Sequence, residues 1–162
     1  IQMKALCAGE RVGLVFTTVV DQFALGLVDE DEEVQEPTDR GYWESRSSKK
    51  ILAMADQLLE IAKAHDGGLE LKYNKFYIGL AKDGQPRNFV ILRPKKEFIR
   101  FEPRLKNSPE TQERLEGAGL DVMDYDSRWG RYRIRLQPGA LEKNRKVLTE
   151  VIAEAYAAIG QE

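Results

Sequence analysis

From Trp129 to Leu136 the chain alternates: Arg131, Arg133 and Arg135 fall at every second position, with Tyr132, Ile134 and Leu136 between them. A repeat of two is the period of a strand, and charged residues alternating with apolar ones suit a strand with one covered face. This segment therefore commits the chain to a sheet with a core on one side and cations on the other.

The neighbouring segments say what covers that sheet. Ser47 or Ser48 caps a helix running to about His65, whose Ile51, Leu52, Ala55, Leu58, Leu59 and Ala62 share one face at helical spacing. Gly67-Gly68 ends it. Leu71–Leu80 is aromatic-rich and reads as one strand. Asp83-Gly84 turns the chain into Asn88–Leu92, by a loop longer than the tightest hairpin, and Pro94-Lys95-Lys96 turns it again into Glu97–Pro103. Ser108-Pro109-Glu110 starts a short helix that stops at Gly117-Ala118-Gly119. After Pro138-Gly139 comes a last helix with Leu141, Leu148, Val151, Ile152, Ala155 and Ile159 on its stripe. The order helix, three strands, helix, strand, helix predicts an α+β fold: an antiparallel sheet of about four strands packed by two to three helices.

Upstream, Val12–Val20 is apolar and β-branched and reads as a strand, and Phe23–Val28 as a short strand or loop. Asp29-Glu30-Asp31-Glu32-Glu33, with Glu36, Pro37 and Asp39, repels itself and reads as a solvated linker. The expected organisation is a strand segment over 1–28, an acidic linker over 29–40 and the α+β domain over 41–160. Opening on Ile1, the chain is expected to be a piece of a longer protein, with 1–28 as the tail of an upstream domain.

Composition narrows the chemistry. Cys7 is the only cysteine and His65 the only histidine, so there is neither an internal disulfide nor a multi-histidine metal centre. No stretch approaches the ~20 apolar residues of a membrane span. The expected setting is cytoplasmic, with no membrane, no cofactor, no metal and no catalytic residue. Net charge is −2, yet residues 1–44 carry three basic against ten acidic residues, while 72–106 carry ten basic against three acidic. Blocks of this kind bear on partners rather than on fold.

The basic block holds the strongest functional pattern. On one continuous strand Tyr73, Lys75 and Tyr77 share a face opposite Lys72, Asn74, Phe76 and Ile78. With Arg93, Lys95, Lys96 and Arg100, with Arg131, Arg133 and Arg135, and with Arg87 and Arg104 as extensions, an outward face would combine phosphate contacts with base stacking. The candidate nucleic-acid-binding residues are Lys72, Tyr73, Lys75, Tyr77, Arg93, Lys95, Lys96, Arg100, Trp129, Arg131 and Arg133, with DNA or RNA as partner. Tyrosines and arginines also cover ordinary solvated sheets, and Trp129 can equally serve as core packing. Tyr42-Trp43 reads as an anchor docking the linker's end.

Two further readings stay open. A protein-interaction or homodimerisation module would dock acidic segments on the basic block. A metal-dependent nuclease would use Glu70 and Lys72, but needs a second carboxylate nearby, with Asp56 and Asp66 as the upstream choices. Asp121, Asp124 and Asp126 lack the glycine hinge and distal glutamate of a calcium loop and read as solvated loop carboxylates.

Arg40-Gly41-Tyr42-Trp43-Glu44, Leu71–Leu80, Asn88-Phe89-Val90, Arg93-Pro94-Lys95-Lys96 and Trp129-Gly130-Arg131-Tyr132 together resemble an uncharacterised bacterial module, over about residues 40–158. It is a domain of unknown function at the C-terminus of longer proteins. Some are labelled "predicted transport protein" and carry a restriction-endonuclease-like nuclease domain upstream. The resemblance implies no established active site. It implies an accessory role in a bacterial defence or nucleic-acid-processing protein.

Overall fold

A computed structural model describes residues 2–8, 11–17 and 37–159. The chain forms two compact units, divided after Glu33. In the first, β1 (Gln2–Ala8) and β2 (Arg11–Thr17) pair antiparallel, with Gln2 opposite Thr17 and Ala8 opposite Arg11. The strand expected from Val12 is thus β2 up to Thr17. The expectations for 18–36, including Phe23–Val28 and most of the acidic linker, lie outside the described residues.

The second unit is α+β. Its helices are α1 (Arg40–Arg46), α2 (Lys49–Lys63), α3 (Pro109–Gly117), α4 (Ala140–Lys143) and α5 (Arg145–Ile159). Its strands are β3 (Leu69–Tyr73), β4 (Ile78–Lys82), β5 (Gln85–Pro86), β6 (Val90–Pro94), β7 (Ile99–Pro103), β8 (Asp121–Asp126) and β9 (Arg131–Leu136). They form one antiparallel sheet in the order β3-β4-β6-β7-β9-β8, with β5 paired to β4. Among the described residues of this unit, seven strands and five helices replace the expected sheet of about four strands and two to three helices.

Local chemistry explains most of the difference. Leu71–Leu80 is two strands joined by a reversal, in which the Asn74 backbone N–H donates to the Tyr77 carbonyl at 3.0 Å. The Trp43 indole N–H, 31 residues upstream, donates to the Asn74 carbonyl at 3.0 Å and braces the turn. Asp83 and Gly84 have φ of 50° and 74° and form a two-residue hairpin between Lys82 and Gln85, tighter than the sequence suggested. Arg40, assigned to the linker, begins α1, because Asp39 caps it by accepting from the Tyr42 N–H at 2.8 Å. The segment read as a loop of carboxylates is the edge strand β8.

Helix caps otherwise fall where the sequence puts them. Ser48 accepts from Ile51 N–H, and Ser108 from Thr111 N–H with Pro109 opening α3. The apolar stripes of α2 (Ile51, Leu52, Ala55, Leu58, Ala62) and α5 (Leu148, Val151, Ile152, Ala155) join one core with Leu69, Ile78, Leu80, Val90, Leu92, Ile99, Phe101, Ile134 and Leu136 of the sheet. Each such leucine or isoleucine contributes roughly 1.5–3 kcal/mol of burial. Trp43 also enters this core. Arg40 ties α1 to α2 through a two-point contact with Asp56 at 2.9 and 2.8 Å, and to β3 through the Tyr73 hydroxyl at 3.1 Å.

Strand alternation sends the intervening residues to the opposite face, which is helix-free among the described residues. Gly79 stands there because a Cβ would collide with Asn88 Oδ1 and press on the Tyr77 ring.

Candidate functional site

The helix-free face carries a row of arginines. Arg93 on β6 stands directly opposite Arg100 on β7, and Arg100 directly opposite Arg135 on β9. Arg135 in turn faces Asp121 on β8, with which it pairs at 3.2 Å. Arg131 and Arg133 point the same way from β9, alternating with the core residues Tyr132, Ile134 and Leu136.

The inner part of this row is buried: Arg93 is 3%, Arg100 9% and Arg131 3% exposed. Glu102, 1% exposed, holds the first two together. Its Oε1 accepts from Arg93 Nε at 3.0 Å and from Arg100 Nε at 2.5 Å. Arg93 also donates to the Phe76 carbonyl at 3.2 Å and lies over the Tyr77 ring, 5.7 Å from its centroid. Arg131 donates to the Asn88 carbonyl at 3.0 Å. The outer part is more open. Arg133 is half-buried and donates to the Asp124 carbonyl at 2.7 Å, and Arg135 packs over Phe98 at 4.9 Å.

Lys72, opposite Gly79 on β3, lies on this face, and the Lys95-Lys96 turn between β6 and β7 borders it, with Lys96 exposed. Thus Lys72, Arg93, Arg100, Arg131 and Arg133 are brought to one face, with Lys95 and Lys96 at its margin.

The aromatic half of the expected platform is not found. The turn at 74–77 breaks the alternation that grouped Tyr73, Lys75 and Tyr77. Tyr73 packs against the helix-side core, Lys75 is exposed in the turn, and Tyr77 is fully buried. Burial likewise takes Arg93, Arg100 and Arg131 out of an outward-facing layer. Trp129 is half-buried in the β8–β9 turn, which Asp126 Oδ1 shapes by accepting from the Arg128 and Trp129 N–H groups at 3.1 and 3.2 Å. The Arg128 guanidinium lies 5.2 Å over its ring.

Glu102 is the residue that sequence reasoning passed over. Arg100-Phe101-Glu102 carries the signal, since i and i+2 on a strand share a face.

The two upstream carboxylates weighed as partners for Glu70 are engaged elsewhere. Both oxygens of Asp56 meet Arg40. Asp66 accepts from Lys82 at 2.8 Å and from the Gly68 N–H at 3.1 Å, and these bonds, Lys82 first, hold its carboxyl below the usual aspartate range. Among the described residues no group of three His, Cys, Asp or Glu side chains is placed to hold a metal, and no helix is long and apolar enough to cross a membrane.

Fold and face together describe an α+β domain with an arginine-lined sheet surface. Comparison with the models of known protein families, with curated proteins and with solved structures finds no match to this chain.

Proposed function

We propose that this chain is a non-catalytic accessory domain that binds nucleic acid through the phosphate backbone on the helix-free face of its sheet. The observation that carries this reading is the row Arg93–Arg100–Arg135, in register across three adjacent strands. Such a row gathers guanidinium groups on one face, although Glu102 pairs with Arg93 and Arg100 and Asp121 pairs with Arg135. Lys72, Lys96, Arg133 and Arg135 supply direct phosphate contacts. Binding of this kind is insensitive to sequence and falls steeply with salt. The resemblance to bacterial modules joined to nuclease domains supports this reading, with a defence or nucleic-acid-processing protein as the proposed setting.

The test is a fluorescence anisotropy titration with short labelled single- and double-stranded DNA and RNA at low and raised salt. The expected result is saturable binding with a steep salt slope, weakened in an Arg133→Ala/Arg135→Ala variant. Absence of binding to every oligonucleotide at low salt refutes the reading.

One observation favours a second reading: the seven-charge acidic excess of 1–44 matches in size the seven-charge basic excess of 72–106. An acidic protein surface, from a second copy or another protein, then takes the place of nucleic acid. Sedimentation velocity across salt decides the self-association form, which an invariant monomer removes.

A further inference from the structure

Two phenylalanines that the charge pattern does not explain sit at one end of the arginine row. The β3–β4 reversal and the β6–β7 turn lie at the same end of the sheet, since Ile78 pairs with Leu92 and Pro94 with Ile99. Phe76 stands in the first and Phe98 in the second. Both are half-buried, whereas the core phenylalanines Phe89 and Phe101 are fully buried. Each ring carries a cation: the Lys75 ammonium lies 5.5 Å from the centroid of Phe76, and the Arg135 guanidinium 4.9 Å from that of Phe98. Both turns are braced from α1. The Tyr42 hydroxyl donates to the Lys75 carbonyl at 3.2 Å, and the hydroxyl of Ser47, just past the helix, donates to the Lys95 carbonyl at 2.7 Å. Within the second turn the Lys95 N–H donates to the Phe98 carbonyl at 2.9 Å. Rings on turns held this way meet a ligand with little further ordering cost.

We infer that Phe98, under the Arg135 guanidinium, and Phe76 are base-stacking steps, and that the ligand of this face is single-stranded nucleic acid. This rests on the nucleic-acid reading above and narrows it. Phosphate contacts alone make no use of an aromatic ring, whereas unpaired bases stack on phenylalanine rings and on arginine guanidinium planes. In a duplex the bases are stacked on one another and present only their edges in the grooves, so the rings find no partner there. Lys96, exposed two residues before Phe98 in the same turn, supplies a phosphate contact beside the stacked base.

The experiment titrates the full chain, by fluorescence anisotropy across salt, with labelled oligothymidine, with an abasic strand of equal length and with a duplex of equal length. The parent is expected to bind oligothymidine most tightly. Phe98→Leu keeps an apolar side chain but no ring. It should bind oligothymidine about tenfold more weakly, with an unchanged salt slope because no cation is lost, and bind the other two probes as the parent does. Unchanged oligothymidine binding by Phe98→Leu, or an equal loss on all three probes, overturns the inference. So does a parent that binds the abasic strand or the duplex as tightly as oligothymidine. Thermal melting checks the fold, and should Phe98→Leu melt clearly below the parent, Phe76→Leu makes the same comparison with the same deciding outcomes. Failure of the parent chain to bind any probe refutes the nucleic-acid reading and this inference with it. A binding parent with an equally tight variant refutes the inference alone.

Discussion

Replacing Glu102 with glutamine tests whether this carboxylate is what allows two arginines to lie under the sheet. Glu102 is 1% exposed and its Oε1 takes Arg93 Nε at 3.0 Å and Arg100 Nε at 2.5 Å. Glutamine keeps the shape and one acceptor oxygen, but it removes the charge and turns an amide N–H₂ towards groups that only donate. Removing one partner of a buried ion pair costs roughly 3–5 kcal/mol, and the retained acceptor puts Glu102→Gln near the lower end, at about 3 kcal/mol. For a unit of this size 1 kcal/mol corresponds to about 4 °C, so the melting temperature should fall by about 12 °C. The chain's two tryptophans, Trp43 and Trp129, both belong to the second unit, so tryptophan fluorescence reports on that unit without interference from the first. Thermal melts and urea titrations read by that signal should agree, with a lower midpoint and an unchanged m-value. A melt within about 2 °C of the parent would mean that the two guanidiniums do not depend on this carboxylate, and the account of the face would fail.

Gly79→Ala should destabilise the domain by about 1–3 kcal/mol through overpacking against Asn88 and Tyr77, and adding Asn88→Ala should recover part of the loss. A single variant that melts like the parent would show that this close approach is not there. The Asp66–Lys82 pair makes a pH prediction. Asp66 is held below its ordinary value of 3.8, so its contribution to stability is complete above that value and is lost as pH falls through the lower folded value. The melting-temperature gap between the parent and Lys82→Met should therefore be steady towards neutral pH and close as pH drops below about 3.8, whereas a gap that persists unchanged into acid would refute the assignment.

The sequence was most legible where a local rule decides the structure. Ser48, Ser108-Pro109 and Gly67-Gly68 mark helix ends because capping involves residues only a few positions apart. The stripes of α2 and α5 follow from helical spacing alone. The reversal at 74–77 was hidden because Tyr73, Lys75 and Tyr77 continue a period of two straight through a turn. What makes the chain turn back there includes Trp43, whose indole reaches Asn74 from another element. Strand β8 was hidden for a related reason. Three aspartates in six residues look like a loop until Arg135 on the next strand pairs with Asp121 and the following turn uses Asp126.

For the face itself, alternation reports direction but not depth. Arg131, Arg133 and Arg135 share a face in the sequence and in the structure, yet Arg131 is buried while the other two are not. Depth depends on what the surrounding chain offers the guanidinium, such as the Asn88 carbonyl for Arg131 or the Glu102 carboxylate for Arg93 and Arg100. An arginine is seldom buried without such a partner, so a lone arginine in a strand is reasonably read as exposed. An arginine with a carboxylate two positions away, as in Arg100-Phe101-Glu102, deserves the opposite reading, because the strand already places its counter-charge on the same side. Applied here, that rule separates the cations into two kinds with different costs. Lys72 and Lys96 stay accessible to solvent, whereas Arg93 and Arg100 are buried with Glu102 among their partners.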